Sequence, residues 1–252
     1  MAARRFLQLT DTHLMGDPAA TLRGVNVLES LRRCLRSAER HFGSLDLTDA
    51  ILVTGDIVND DAAGYDWLRS ELADRGVPVL CIPGNHDEPA EMQRRLAAPP
   101  FQICGHRDFD GWRIILLDSQ VLGATHGRLS ASELARLETA LHSHMGQHAL
   151  IVLHHHPVPL QSLWLDSIGL HEPEGFLALI ERHTSVRGIL WGHVHQSFDT
   201  LHNDVRWLAT PSTCVQFAPR RDDFAIDERP PAFRSLTLHD DGRIDSEVVW
   251  VD

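Results

Sequence analysis

Short runs rich in Val, Ile and Leu recur along this sequence, and stretches with helical spacing of apolar residues lie between several of them. Runs of this length are typical of strands buried on both faces, as in sheets that are covered by helices. The alternation therefore predicts an α/β fold. The predicted strands are RFLQL (5–9), AILVT (50–54), VPVLCI (77–82), RIILL (113–117), ALIVL (149–153) and GILW (188–191).

Four stretches have the periodicity of amphipathic helices, with apolar residues three and four positions apart. Ser130 and Glu133 have the spacing of a capping box, which predicts the start of the third helix. The predicted helical stretches are 27–38, 67–72, 134–141 and 176–180.

The pattern changes after about residue 198, where only strands and turns are predicted and HDDG (239–242) forms a hairpin turn. No repeat, low-complexity segment or linker divides the sequence, so we expect a single domain over residues 1–252. The stretch 215–232 is the one long irregular segment. Long loops of this kind are often functional lids.

Charge and composition exclude several classes of function. The formal net charge is −12, so the chain lacks the basic surface with which proteins bind long nucleic acid. All 23 of the Lys and Arg residues are arginine, which excludes a Walker-type phosphate loop and Schiff-base chemistry, because both need lysine. The four cysteines form no Cys-x-x-Cys pair, which favours reduced, partly buried thiols.

The first ten residues, MAARRFLQLT, contain too few consecutive apolar residues for a secretory signal. No apolar run reaches the length of a membrane span. We therefore expect a cytoplasmic protein without a membrane partner.

Five of the predicted strands end in side chains that commonly bind metals. In a doubly wound sheet the carboxyl ends of the strands lie along one edge, so these side chains are expected to converge. Each cluster alone fits an ordinary turn or helix cap, but five clusters that all follow the carboxyl end of a strand favour a shared site. The clusters contain Asp11 and His13; Asp56; Asn85, His86 and Asp87; His154, His155 and His156; and His193 and His195.

These ligand types, which are imidazole, carboxylate and one amide oxygen without a thiolate, favour a first-row divalent metal such as Zn, Mn, Fe or Co. They outnumber the ligands that one ion needs. Two ions roughly 3.5–4 Å apart, bridged by one carboxylate, would use them all. The sequence therefore predicts two divalent metal ions as cofactors.

The order and spacing of the clusters resemble those of the calcineurin-like metallophosphoesterase superfamily. Flanking stretches, among them GVNVLES (24–30) and LATPSTCVQF (208–217), are similar to bacterial class III 3′,5′-cyclic-AMP phosphodiesterases. The resemblance covers essentially the whole chain. It implies a four-layer α/β/β/α sandwich with the dimetal site at the carboxyl ends of the strands. The matching motifs are Asp11-x-His13, Gly55-Asp56, Gly84-Asn85-His86-Asp87, His154 and Gly192-His193-x-His195.

The resemblance also implies which residues hold the metals. Of the three consecutive histidines, the ligand is expected at His154, because the family's ligand directly follows the apolar strand. One metal is expected on Asp11, His13 and His195, the other on Asn85, His154 and His193, with Asp56 bridging the two.

For catalysis, the resemblance implies that His86 faces the scissile phosphate and that Asp87 orients it. His13, Asp56 and Asn85 are expected to contact the substrate together with His86. The implied reaction is hydrolysis of 3′,5′-cyclic AMP to 5′-AMP by a hydroxide that bridges the metals.

Two alternatives remain open from the sequence. The enzyme could act on another small phosphate ester as a broader phosphodiesterase or phosphomonoesterase, or the fold could be a binding scaffold without catalysis. The retained His86 and the complete ligand set disfavour the scaffold. His126, Arg220 and Arg221 fit either a substrate contact or an ordinary surface position, and a homodimer is compatible with the sequence.

Overall fold

The computed structural model describes residues 3–143 and 146–252; Met1 and Ala2, which belong to the N-terminal stretch analysed above, lie outside the described residues. All six predicted strands are present, with ends that differ by at most two residues. In chain order the strands are β1 (Arg4–Leu9), β2 (Thr21–Leu22), β3 (Val25–Asn26), β4 (Ala50–Thr54), β5 (Val79–Ile82), β6 (Phe101–Ile103), β7 (Gly105–Phe109), β8 (Trp112–Leu116), β9 (Gly127–Arg128), β10 (His148–Val152), β11 (Leu170–His171), β12 (Val186–Trp191), β13 (Phe198–His202), β14 (Val205–Ala209), β15 (Gln216–Phe217), β16 (Ile226–Asp227), β17 (Ala232–Leu238) and β18 (Ile244–Trp250).

Two six-stranded sheets contain most of these strands. Sheet one has the order β18-β17-β1-β4-β5-β6, and sheet two has the order β13-β14-β12-β10-β8-β7. Four strands of each sheet run parallel, namely β1, β4, β5 and β6 in sheet one and β8, β10, β12 and β14 in sheet two. Parallel pairing gives all four strands of a sheet their carboxyl ends on the same side.

Helices cover the outer faces of both sheets. No helix within residues 3–143 and 146–252 is long and apolar enough to cross a membrane. The helices are α1 (Val27–Phe42), α2 (Gly64–Leu72), α3 (Pro89–Leu96), α4 (Ala131–His142), α5 (Leu163–Asp166) and α6 (Glu174–Arg182), with a 3₁₀ turn at Leu45–Leu47.

The apolar core is divided into three layers by the two sheets. Helices α1, α2 and α3 pack on sheet one, and α4 and α6 pack on sheet two. The third layer lies between the sheets, where Phe6, Leu52 and Leu80 of sheet one meet Leu150 and Leu190 of sheet two. This arrangement confirms the predicted α/β/β/α sandwich.

The polar clusters converge from both sheets of this sandwich. Convergence of strand ends is expected along the edge of one doubly wound sheet, and the structure places β1, β4 and β5 in sheet one and β10 and β12 in sheet two. The site therefore forms where two sheets present their carboxyl ends together. An apolar run shows that a strand is buried but does not show which strand pairs with it, so the sequence alone left this point undetermined.

Three local features also differ from the expectation. The stretch 215–232 contains the small antiparallel pair β15 and β16 and is therefore a hairpin. Helix α3 and strands β6 and β7 were not predicted, because their apolar positions are few. Ser130 caps α4 by accepting from the Glu133 amide at 3.1 Å, but the Glu133 carboxylate accepts from the Asp118 amide and pairs with Arg136, so the capping box is only half formed.

Candidate metal centre

The loops that follow β1 and β12 bring three predicted ligands together. His195 Nε2 lies 3.3 Å from Asp11 Oδ1 and 3.3 Å from His13 Nε2. All three side chains are buried, and one donor atom from each lies within 4.8 Å of the others. We call Asp11, His13 and His195 the first ligand cluster.

The Asp56 carboxylate, in the loop after β4, lies between the first cluster and His154. Its Oδ2 is 3.9 Å from His13 Nε2, and its Oδ1 is 3.4 Å from His154 Nε2. Because the two oxygens face different histidines, this carboxylate has the geometry of a bridging ligand.

His154 and His193 form the second ligand cluster together with Asn85. The two imidazole rings lie 5.1 Å apart, centroid to centroid. Asn85 follows Gly84, whose backbone packs against both the Asp56 carboxylate and the His154 ring. Asn85 Oδ1 and His154 Nε2 are buried and have no hydrogen-bond partner in the described part of the chain. Two buried polar atoms without a partner at one place fit a site that holds a cation.

Backbone carbonyls fix the tautomers of three histidines. His154 Nδ1 donates to Thr54 O at 2.8 Å, His195 Nδ1 to Val215 O at 2.6 Å, and His193 Nε2 to Ile168 O at 3.0 Å. Each bond engages one ring nitrogen and leaves the other for a cation, which is the usual arrangement of histidine ligands.

Backbone strain marks the same loops. Five of the predicted ligands have φ in the left-handed region, which is uncommon for residues other than glycine and is concentrated at functional sites. Gly192 shows how closely the loops pack, because a Cβ at this position would overlap Thr10 Oγ1 and approach Asp11. The strained residues are Asp11 (51°), His13 (47°), Asp56 (46°), His193 (66°) and His195 (48°).

The charges of the site are strongly coupled. Burial alone would raise the pKa of the Asp56 carboxyl, but His154, His13 and His86 together outweigh burial and hold that pKa well below its usual range. Burial would likewise lower the pKa of His154, yet Asp56 and Asp11 raise it to about 9, so a cation that binds this imidazole displaces a proton. Burial lowers the pKa of His13 to about 4, so this imidazole is neutral and able to bind a cation. The donor set thus fits two first-row divalent ions.

His86 contacts a different carboxylate from the expected one. Its Nδ1 lies 2.9 Å from Asp60 Oδ2, whereas no bond joins it to Asp87, so the expectation that Asp87 orients His86 is wrong. The His86 backbone amide donates to Asp56 Oδ1 at 2.9 Å. Burial opposes the charged imidazolium, but the Asp56 and Asp60 carboxylates prevail and raise the pKa of His86.

Asp87 instead connects the loop after β4 to the loop after β5. Its carboxylate accepts from the amides of Gly84 at 2.8 Å and Ile57 at 3.1 Å and from the Tyr65 hydroxyl at 2.8 Å. A buried carboxylate with these donors connects the loop of Asp56 to that of Asn85. Asp87 therefore has a structural position and does not reach the open side of the site.

The other polar residues singled out in the sequence lie around the centre. His155 Nδ1 is 2.8 Å from Ser119 Oγ, and a donor atom of His155 lies within 4.8 Å of His154 and His193. His126 stacks on His171 with centroids 4.0 Å apart. Arg220 and Arg221 are exposed.

The hairpin at 215–232 contacts the metal centre at His195, through the Val215 carbonyl and through an aromatic ring. Phe217 stacks on His195 with centroids 4.0 Å apart, and its amide donates to His195 O at 3.4 Å. Phe224, which is partly exposed, packs against Phe217 and Trp164. The length of this segment indicated a candidate lid, but no pattern in the sequence indicated that Phe217 stacks on His195.

Comparison with known proteins yields a consistent family of relatives. A family model described as calcineurin-like phosphoesterase matches residues 4–197. The 3′,5′-cyclic adenosine monophosphate phosphodiesterase CpdA of Vibrio vulnificus is 40% identical over 246 residues, which cover 97% of this chain and 89% of that protein. The protein of the same name from Pseudomonas aeruginosa is 39% identical over 249 residues. These residues cover 98% of this chain and 89% of that protein.

Solved structures support the fold. A dimetal phosphatase from Danio rerio superposes with a TM-score of 0.67 over the full length of both chains, at 14% identity. GAP50, the anchor in the inner membrane complex of Plasmodium, superposes with a TM-score of 0.66 over 99% of this chain and 85% of its own, at 12% identity.

Proposed function

The chain belongs to the calcineurin-like phosphoesterase family, and on that premise we propose that it hydrolyses 3′,5′-cyclic AMP to 5′-AMP with two divalent metal ions. The observation that supports this most directly is the position of Asp56 between two buried sets of metal-binding side chains. The substrate is proposed from the relatives that share about 40% of their residues with this chain over nearly its whole length.

We propose that Asp11, His13 and His195 hold one ion, that Asn85, His154 and His193 hold the other, and that Asp56 contacts both. When bound, such ions supply a water of lowered pKa and positive charge that stabilises a phosphate. Iron, manganese, zinc and cobalt all suit this donor set. The ions in the native enzyme can be identified by elemental analysis.

The charge balance favours an anionic substrate. Asp11 and Asp56 contribute two negative charges against four positive charges from two divalent ions, so the loaded site is positive inside a chain whose formal net charge is −12. A phosphodiester monoanion fits this field. We propose that His13, Asp56, Asn85 and His86 border the phosphate.

His86 is proposed to protonate the departing oxygen. Its side chain is one-third exposed at the open side of the site, unlike the buried ligands, and the Asp56 and Asp60 carboxylates raise its pKa, which suits a group that gives up a proton. The Asp60 carboxylate accepts from Nδ1, which turns Nε2 away from Asp60 and leaves it available to a substrate.

The Asp60 contact leads to the first prediction. Replacing Asp60→Asn is expected to lower kcat roughly 10-fold, less than loss of His86 itself, because the imidazole is no longer held in one orientation. Steady-state kinetics in a His86→Ala background provide the check: Asp60→Asn should then cause no further loss. Asp61→Asn is the matched control, because Asp61 contacts the backbone of Gly16 and Ala63 instead. An equal loss in both backgrounds would contradict the proposed contact.

The hairpin gives a second prediction. Replacing residues 219–224 by a short Gly-Ser turn should raise the KM for cyclic AMP while hydrolysis of bis(p-nitrophenyl) phosphate is retained, because Phe217 still supports His195. Equal loss on both substrates would mean that the hairpin is needed only for the structure of the site.

A nucleotide screen tests the proposed substrate. Metal-reconstituted protein should hydrolyse 3′,5′-cyclic AMP faster than 2′,3′-cyclic AMP, a linear dinucleotide or a phosphomonoester. A clear preference for one of the competitors would favour the broader phosphodiesterase or phosphomonoesterase. We further propose a cytoplasmic enzyme that acts on small molecules and not on long nucleic acid; light scattering of the purified protein tests for a homodimer.

A further inference from the structure

Four buried polar side chains form a chain of hydrogen bonds between the two sheets. Arg234 Nε donates to Thr210 Oγ1 at 2.8 Å, the Thr210 hydroxyl donates to Gln8 Oε1, and Gln8 Nε2 donates to Thr54 Oγ1 at 2.9 Å. Gln8, Thr54 and Thr210 are fully buried, and Arg234 is 1% exposed. We call Arg234, Thr210, Gln8 and Thr54 the inter-sheet network.

Two groups fix the direction of the bonds in this network. The Arg234 guanidinium can only donate, so Thr210 Oγ1 accepts from it. The Trp191 carbonyl can only accept, so Gln8 turns Nε2 toward Trp191 and Thr54 and turns Oε1 toward Thr210, whose hydroxyl donates to it. Arg234 thereby holds the Thr210 hydroxyl against Gln8 and polarises the chain of bonds.

Arg234 is an unusual residue for this position. Its other contacts are neutral acceptors, namely Ser246 Oγ and the carbonyls of Ala209 and Phe198, and no acidic side chain of the described residues forms an ion pair with it. Burial lowers its pKa only to about 10, so it remains charged at neutral pH. Burying a cation without a carboxylate partner costs free energy, which the hydrogen bonds to these neutral acceptors offset.

The Gln8 amide lies directly behind the metal centre. Besides Thr54, its Nε2 approaches Trp191 O at 3.4 Å, which joins the carboxyl ends of β1, β4 and β12. Thr54 O accepts from His154 Nδ1, and Trp191 lies two residues before His193. The network therefore connects sheet one to sheet two at the level from which the ligand loops leave.

This connection matters because each proposed metal takes ligands from both sheets. The first cluster combines Asp11 and His13 of sheet one with His195 of sheet two, so its geometry depends on how the sheets are aligned. We infer that Arg234 is a positioning residue for the metal centre, because it holds Thr210 against Gln8 so that the strand ends before the ligand loops keep one alignment. The inference rests on the proposed dimetal function.

Cobalt binding to the full-length apo protein tests this inference without any substrate. Thr210→Val removes the hydroxyl that bonds to both Arg234 and Gln8, and Arg234→Met removes the cation that holds Thr210. Both variants should bind cobalt roughly 10–100-fold more weakly than wild type, as is usual when the groups behind metal ligands are removed, with a changed visible absorption spectrum. Arg234→Lys, which keeps a charged donor, should retain tighter binding than Arg234→Met.

Leu236→Ala is the matched control for stability. Leu236 lies two residues from Arg234 on the same strand, faces the same apolar layer and contacts no ligand loop through a hydrogen bond. This variant should lower the melting temperature and leave cobalt affinity and spectrum unchanged. If Thr210→Val and Arg234→Met also lose only stability, the inference is wrong and the network is merely structural. If wild-type protein binds fewer than two cobalt ions, the proposed dimetal function is wrong. The result for wild type tests the proposed function and the comparison of the variants tests the inference, so the two failures are distinguishable.

Discussion

Asp56→Ala protein is expected to lose both metal ions and to show no measurable phosphodiesterase activity. The Asp56 carboxylate faces His13 with one oxygen and His154 with the other, so its removal takes a ligand from each proposed ion. It also removes the negative charge that offsets two close cations. Elemental analysis of the folded variant measures the effect directly.

Loss of a ligand to a single ion provides the comparison. His195→Ala removes a ligand of the first cluster only and should leave one ion bound. Circular dichroism must show that both variants are folded. An active Asp56→Ala protein that binds two ions, or fully active wild-type protein with one ion, would contradict the proposal of two metal ions per chain.

His86→Ala is expected to keep its metals and to lose roughly 10²–10⁴-fold in kcat, the usual contribution of a positioned general acid. The geometric basis is that His86 bonds to Asp60 and lies at the exposed side of the site, while the six ligand side chains other than Asn85 are buried. Kinetics and elemental analysis of the same sample separate the two roles.

A histidine outside the site serves as control for this variant. His171 is exposed and stacks on His126, so His171→Ala should leave kcat unchanged. Loss of an ion from His86→Ala would show that His86 is a ligand, and near-normal turnover would show that another group supplies the proton.

The candidate ligands of the metal centre could be predicted because each of them is marked by the few residues that precede it in the sequence. Each candidate ligand directly follows an apolar run, and a strand end fixes where the next two or three side chains can lie. The motif around Asp56 also matches a known family, so the role of a bridging ligand could be assigned to a single position. The structure brings the six Asp and His side chains of the predicted set into overlapping groups of possible metal ligands, and it places His86 and His155 in such groups as well.

The partners behind the ligands were not predictable in the same way. Asp60 occurs in a polar turn, GDIVNDD, where a carboxylate is ordinary. Only the folded loop shows that Asp60, and not Asp87, contacts His86. Gln8 and Arg234 are far apart in the sequence but are directly opposed in the pairing of β1 and β17. No local pattern indicates such a pairing, because strand order depends on packing of the whole chain.

Hydrolysis in ¹⁸O-labelled water tests the central claim most directly. Cyclic AMP treated with the metal-reconstituted enzyme should give 5′-AMP, with one labelled oxygen on phosphorus and none on the ribose, as followed by phosphorus NMR and mass spectrometry. This result requires attack on phosphorus and departure of the 3′ oxygen, which is the oxygen that His86 is proposed to protonate. Formation of 3′-AMP, or label on the ribose, would contradict the account.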